Sequence, residues 1–242
     1  MPLHKATVRK APSLRGRADS QTDQAYKALE ELVVTLRLEP GAVLSETRLA
    51  AQLGFGRTPV REALQRLERE SLVVILPRKG ILVADINPRT QLLILEVRRE
   101  LERLMARAGA TRATAEERTQ FLEIAEGMEQ AARCNDDISF MRLDRAFHVS
   151  ISRAAHNEYA SRAMGLLHGL SRRFWYMHYK EAADLPLCSR LHAQLARRIA
   201  AGDPEAAARA SDQLVDYAET FTRATLGGGN GHAVPEEKHL TG

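Results

Sequence analysis

The chain has 242 residues, which is enough for one large domain or two smaller ones. Its charged fraction is 27%, its hydrophobic fraction is 44%, and both values are ordinary for a globular protein. The net charge of +4 lies entirely in residues 1–88, which hold 14 Lys and Arg against 10 Asp and Glu, and this favours contact with a polyanion. Two cysteines without a CxxC motif and the lack of a long apolar run argue against a disulfide scaffold, export and membrane insertion. A cytoplasmic location is therefore expected.

The first part of the chain is predicted to contain a flexible tail followed by three helices. Residues 1–19 are basic and lack apolar periodicity, so a flexible tail is expected there. Apolar residues at helical spacing then predict three helices, the second capped by Ser45 and ended by Gly54. The third is predicted to have Thr58 as its N-cap and Pro59 at its first helical position.

A short β-hairpin is predicted after the third helix. Residues 72–76 and 81–83 are β-branched or apolar, and a turn over residues 77–80 separates them. Three helices followed by a hairpin indicate a winged helix-turn-helix over residues 20–86.

Residues 87–226 carry helical periodicity throughout, and the glycine-rich segment 227–242 is expected to be a second flexible tail. We predict helices near residues 89–110, 114–133, 136–155, 157–180, 186–201 and 204–226. The fold class is therefore mainly α, with an N-terminal winged helix-turn-helix followed by an all-α helical bundle.

Two adjacent motifs carry the most specific signal. Residues 44–54 read LSETRLAAQLG, and residues 57–68 read RTPVREALQRLE. This pair resembles the GntR family of transcription regulators, in its FadR-like branch with an FCD effector domain, and the resemblance extends over about residues 20–226. It implies a homodimeric regulator, here expected to be a repressor, that binds a pseudo-palindromic double-stranded operator and responds to a small metabolite such as an organic acid.

The residue chemistry also suits DNA. A helix N-terminus offers free N–H groups to a phosphate, the Thr58 hydroxyl can add a contact, and arginines at 57 and 61 can read guanine in the major groove. The alternative for each charged residue is a solvated surface position. Thr47, Gly56 and Ser71 depart from the residues common in the family. The predicted DNA-binding residues are Thr47, Arg57, Thr58, Pro59, Arg61 and, on the wing, Arg78, Lys79 and Gly80.

A metal site is the second candidate. Asp144 and His148 stand four residues apart on one helical face, where a carboxylate and an imidazole can share a divalent cation. The resemblance implies His192 as a third ligand, while the fourth expected position holds Leu214. A site of three ligands for zinc, nickel or manganese is thus one reading, and hydrogen-bonded polar residues of the core are the other. His156, His168 and His178 receive no role.

Four further residues are candidates for binding an effector. Arg98 and Asn157 match family positions, and a guanidinium suits a carboxylate, although Asn157 can equally cap a helix. Arg172 and Tyr176 belong to an aromatic-rich stretch that suits either a ligand pocket or a core.

Two other functions are weighed against the regulator. In a metal-dependent enzyme, the same Asp and His residues would activate water. In an architectural DNA binder, no ligand would be sensed. No paired general base or nucleophile is evident, so the chain is not expected to be an enzyme.

Overall fold

The chain forms helices and short strands in the order expected for a winged motif and a helical bundle. The computed structural model describes residues 19–77 and 80–227. Over these residues the elements are α1 Gln21–Val34, β1 Val43–Leu44, α2 Glu46–Leu53, α3 Arg57–Arg69, β2 Val73–Leu76, β3 Gly80–Val83, α4 Pro88–Arg112, α5 Ala115–Cys134, α6 Asp137–Ala154, α7 Glu158–Ala182, α8 Leu185–Ala201 and α9 Pro204–Gly227. The predicted fold class is confirmed. No helix in the described ranges is both long and apolar enough to cross a membrane.

Local capping residues determine where several helices begin and end. The Ser45 hydroxyl accepts a hydrogen bond from the Arg48 N–H at the start of α2, and Gly54 ends this helix with a φ of +71°. The prediction for α3 was wrong in detail, because Gly56 is the N-cap and Pro59 is the third residue of the helix. Proline is tolerated there because the first-turn N–H groups have no acceptor within the helix.

Ser71 follows α3 with a φ of +57°, a conformation that glycine adopts more readily. Its N–H donates to the Glu68 carbonyl, and the Leu72 N–H donates to the Leu67 carbonyl. The chain therefore turns sharply into β2 without a glycine.

The predicted hairpin is part of a three-stranded sheet with strand order β1-β3-β2. Strand β2 pairs antiparallel with β3 from Val73↔Val83 to Leu76↔Gly80, and β1 pairs with the other edge of β3. The sequence did not predict β1, because two residues are too few to show alternation. The wing residues Arg78 and Lys79 lie outside the described residues, as do the predicted tails except for Asp19 and Gly227.

The described residues form two hydrophobic cores. One packs α1 and α3 against the sheet through buried residues such as Leu29, Leu64 and Leu67. The other lies in the helical bundle, where α5 packs along α8 and α4 along α9. Burial of these apolar faces is the main favourable term in the stability of both parts.

Helix α7 connects the two parts. Leu170 packs against the first core, and a Cβ atom at Gly169 would lie only 2.9 Å from Leu72 Cδ1. The buried Arg173 guanidinium donates to the Leu72 carbonyl at 3.5 Å and to the Ala84 carbonyl. The winged motif therefore rests directly on α7.

Candidate functional sites

The N-terminus of α3 is exposed. Arg57 and Thr58 are both exposed, and Gly56 offers no side-chain acceptor to the first-turn N–H groups. These N–H groups and the positive end of the helix dipole favour a phosphate. The structure thus brings together the backbone, the hydroxyl and the guanidinium that the sequence assigned to DNA.

Arg61 is held by a residue that sequence reasoning missed. Its guanidinium donates to both carboxylate oxygens of Glu46 on α2, at 2.9 to 3.2 Å. A bidentate pair of this kind fixes the plane of the guanidinium. Thr47, the next residue on α2, is exposed beside it. A separation of 15 residues gives no sequence signal for the Arg61–Glu46 pair, because it depends on how α2 crosses α3.

A second candidate site is a cavity inside the helical bundle, with a volume of about 80 Å³. Helices α4, α6, α7, α8 and α9 all contribute to its wall. The space suits a cation together with a ligand of a few non-hydrogen atoms. Its wall combines aromatic side chains with charged and imidazole groups, which is typical of a site for a small polar ligand.

Asp144 is at the centre of the polar groups. Its Oδ1 atom lies 3.3 Å from His148 Nε2 and 3.2 Å from His192 Nε2. In a tetrahedral metal site with bonds of about 2.0–2.1 Å, neighbouring ligand atoms are about 3.3 Å apart. Both distances from Asp144 therefore fit a cation shared between its carboxylate and an imidazole.

The hydrogen bonding of His192 supports this fit. Its Nδ1 atom lies 2.9 Å from the Cys188 carbonyl, which can only accept, so Nδ1 carries the hydrogen. Nε2 then faces an oxygen of Asp144. Burial opposes protonation, but Cys188 and Asp144 raise the pKa of His192 well above its usual range, so without a metal Nε2 carries a proton toward Asp144. A proton or a metal cation must lie between these two atoms, and a carbonyl partner on the other nitrogen is the usual support for a metal-binding histidine.

His168 joins the same cluster, although the sequence gave it no role. Asp144, His148 and His168 each offer a ligand atom within 4.8 Å of the others. The rings of His148 and His168 have centroids 4.1 Å apart. His168 Nε2 and Trp175 Nε1 are both buried without a hydrogen-bond partner, and both side chains line the cavity. Each unpaired buried group costs about 1–3 kcal/mol, so an occupant that pairs them is favoured.

The electrostatics of the cluster favour a cation beside Asp144. Burial acts to raise the pKa of the Asp144 carboxyl, but His148 and His192 hold this pKa well below its usual range, so the group is ionised. Burial, followed by the charge of His148, lowers the pKa of His168 well below its usual range. At neutral pH the cluster therefore contains a carboxylate and an imidazole with a free lone pair.

Three of the four residues predicted to bind an effector line this cavity. Arg98 and Arg172 bring guanidinium groups to the wall, and Tyr176 brings a phenol. Arg98 pairs with Glu102 on its own helix, whereas Arg172 pairs with Glu30 of α1 at 2.9 Å. Asn157 does not reach the cavity, which corrects the prediction. Its side chain caps α7 by accepting from the N–H groups of the next turn, the alternative considered from the sequence.

Comparison with known families gives two matches. Residues 21–83 match the family described as bacterial regulatory proteins, gntR family, and residues 93–217 match the FCD domain. The two segments correspond to the winged motif and the helical bundle.

Two of the curated relatives are described as uncharacterised HTH-type transcriptional regulators. One from Streptomyces ambofaciens is 49% identical over 63 residues, which is 26% of this chain and 27% of that protein. One from Agrobacterium vitis is 35% identical over 130 residues, which is 52% of this chain and 76% of that protein. For several further relatives the match spans about three fifths of their length.

The fold also matches a solved structure. E. coli McbR/YncC superposes with a TM-score of 0.74, covering 86% of this chain and 99% of that one. The identity is 23%, so the likeness concerns the fold.

Proposed function

Since the chain belongs to the GntR family of bacterial regulators and carries an FCD domain, we propose that it is a homodimeric repressor whose operator affinity falls when an organic acid enters the helical cavity. The DNA-binding GntR domain and the FCD effector domain make the protein a transcription regulator. Such a protein acts on the chromosome, and we place it in the cytoplasm.

One contact carries the proposal. Arg172 lines the cavity, yet its guanidinium binds Glu30 in the first helix of the DNA-binding domain at 2.9 Å. The two side chains are only 9% and 11% exposed. A carboxylate that enters the cavity competes with Glu30 for the same guanidinium. Ligand binding and the seating of the DNA-binding domain are therefore opposed through one side chain, which supplies a differential contact between two states.

We further propose that a divalent metal (zinc, nickel or manganese) contributes to the cavity. Asp144, His148 and His192 would hold it, and the donor set of one carboxylate and imidazoles suits these ions. When bound, the metal supplies a positive centre that accepts a carboxylate oxygen. Arg98 would orient the remaining carboxylate oxygen from α4.

A second copy of the chain is the proposed partner in solution. Leu93, Val97 and Leu104 are 62%, 52% and 47% exposed and lie along one face of α4. A row of exposed apolar side chains on one helix is unusual for a monomer and suits an interface. A symmetric pair would present two α3 helices to the two halves of a pseudo-palindromic operator.

DNA binding is tested with the full chain and a fluorescent fragment from upstream of its own gene. We expect saturable binding that weakens as salt rises, because phosphate contacts release counterions. Scrambled DNA of the same length serves as the control. Equal affinity for both fragments at every salt concentration would contradict the proposal that the chain is a sequence-specific transcription regulator.

The ligand response is tested by titrating small mono- and dicarboxylates, with Zn²⁺ present, into the protein–DNA complex. Glu30→Gln provides the matched variant, because it keeps the wall of the cavity and removes the nearer of the two α1 carboxylates that Arg172 binds, Glu30 at 2.9 Å and Glu31 at 3.6 Å. We expect an acid that releases wild-type protein from DNA to bind Glu30→Gln and to release it much less. If this variant responds like the wild type, coupling through Arg172 is wrong.

A further inference from the structure

The metal cluster draws its donors from three helices. Asp144 and His148 lie on α6, His192 on α8 and His168 on α7. The family resemblance directs attention to α9 for one more ligand, but the residue there is Leu214, whose buried side chain lines the same cavity. A leucine side chain donates no electron pair. Helix α9 therefore supplies no ligand at that position.

His168 has a donor atom without a partner. Its Nε2 atom is buried and makes no hydrogen bond, although its ring lies 4.1 Å from that of His148 and its ligand atom lies within 4.8 Å of those of Asp144 and His148. A histidine that served only to fill the core would leave this nitrogen unpaired at a cost.

The other α7 histidine shows the contrast. His178 packs against Phe174 with ring centroids 4.7 Å apart and ring planes inclined at 47°, and it does not line the cavity. It is ten residues further along the same helix. Its environment is that of a packed aromatic side chain and not of a metal ligand.

We propose that His168 is the fourth ligand of the metal site formed by Asp144, His148 and His192, so that α7 supplies the donor that α9 lacks. This inference rests on the metal in the proposed function and assigns it a set of three imidazoles and one carboxylate. Such a set matches the four-coordinate preference of zinc. It also ties the metal to α7, the helix that carries Arg172 and the seat of the DNA-binding domain.

The test is a cobalt titration of the purified full-length protein after dialysis against a chelator. Co²⁺ is the probe, because its visible absorption reports coordination number as well as occupancy. We expect one Co²⁺ per chain with the intense bands of a four-coordinate site. His168→Leu should lower the affinity at least about 100-fold and weaken these bands, whereas the control His178→Leu should leave both unchanged.

A rescue variant makes the assignment sharper. Adding Leu214→His to His168→Leu moves the donor from α7 to α9 and should restore Co²⁺ affinity and the four-coordinate spectrum. His168→Gln, which retains polarity and most of the volume, should behave as His168→Leu does. The helical circular dichroism signal of each variant shows whether the bundle is folded. If His168→Leu does not fold, His168→Gln takes its place in the comparison.

Two results would overturn the inference. One is a folded His168 variant with wild-type Co²⁺ affinity and spectrum, and the other is wild-type protein that takes up no Co²⁺. Binding to the promoter fragment is measured on the same samples. Protein that binds the fragment specifically but takes up no metal would remain a regulator and would exclude His168 as a ligand. Protein that binds metal but not the fragment would keep His168 as a ligand and would contradict the proposal that the chain is a regulator.

Discussion

The ion pair between Glu30 and Arg172 gives the most quantitative prediction. Both side chains are about nine-tenths buried, and the pair lies between α1 and α7. Arg172→Met keeps most of the apolar stem of the side chain but removes the guanidinium, so that the Glu30 carboxylate stays buried without its paired cation. Breaking a buried pair in this way costs about 3–5 kcal/mol. Arg145 pairs with the neighbouring Glu31 and partly screens Glu30, so we expect the lower value, about 3 kcal/mol.

A double-mutant cycle isolates this energy from the loss of packing. Glu30→Gln combined with Arg172→Met removes both charges, and the double variant should lie within about 1 kcal/mol of the wild type. The coupling energy is then at least about 2 kcal/mol. Urea unfolding followed by the fluorescence of Trp175, the single tryptophan, gives the free energies of unfolding. Arg162→Met breaks a pair with Glu158 that is exposed on the same helix and should cost less than about 1 kcal/mol.

The pH dependence supplies a further check. Burial raises the pKa of Glu30, and the cation of Arg172 only partly opposes this effect. A carboxyl with a raised folded-state pKa stabilises the protein below its unfolded pKa, and this stability is lost as pH rises through the folded pKa. The deficit of Arg172→Met should therefore shrink as the pH is lowered and Glu30 takes up a proton. Additive single variants, or a deficit equal to that of Arg162→Met, would refute the reasoning.

Three other changes have clear expected outcomes. Arg57→Ala should lower promoter affinity by about 1–3 kcal/mol in fluorescence anisotropy, whereas Arg69→Ala at the far end of α3 should not; equal losses would contradict the assigned orientation of the helix. Ser71→Gly should raise the free energy of unfolding by about 1 kcal/mol, because glycine accepts a φ of +57°, and a lower melting temperature would count against this. Val97→Glu should yield monomers in sedimentation velocity, with Val149→Glu as the control because Val149 is exposed to a similar extent; an intact dimer would exclude the α4 face as the interface.

Features that depend on neighbouring residues could be predicted from the sequence. Ser45 and Gly54 mark the ends of α2 because capping chemistry is local, and the helical period locates the six helices of the bundle. The proximity of Asp144 and His148 follows from their spacing on one helix. The start of α3 was predicted two residues too late, because Thr58 followed by Pro59 is a common pair at the start of a helix, whereas the N-cap is Gly56 in an extended conformation.

Contacts between helices were not predictable in the same way. Glu46 meets Arg61, and Glu30 meets Arg172, only after the helices pack. A weak signal for His168 was present, because His168, Ser171, Arg172 and Trp175 recur at helical spacing and all line the cavity. Helical periodicity shows that these side chains share one side of α7, but it does not show which other helices they contact. The wing tip and the tails lie outside the described residues, so those predictions stand untested.

The double use of α7 has a consequence for building sensors by exchange of parts. A chimera joined between β3 and α4 would set a foreign first helix against this α7, and Arg172 would lose the carboxylate at position 30. Leu72 and the carbonyl of Ala84 would likewise be replaced by residues not fitted to Gly169 and Arg173. A transplanted DNA-reading head therefore needs its contact surface for α7 to be grafted with it. The residues that must be exchanged together are therefore defined by this contact surface and not by the junction between β3 and α4.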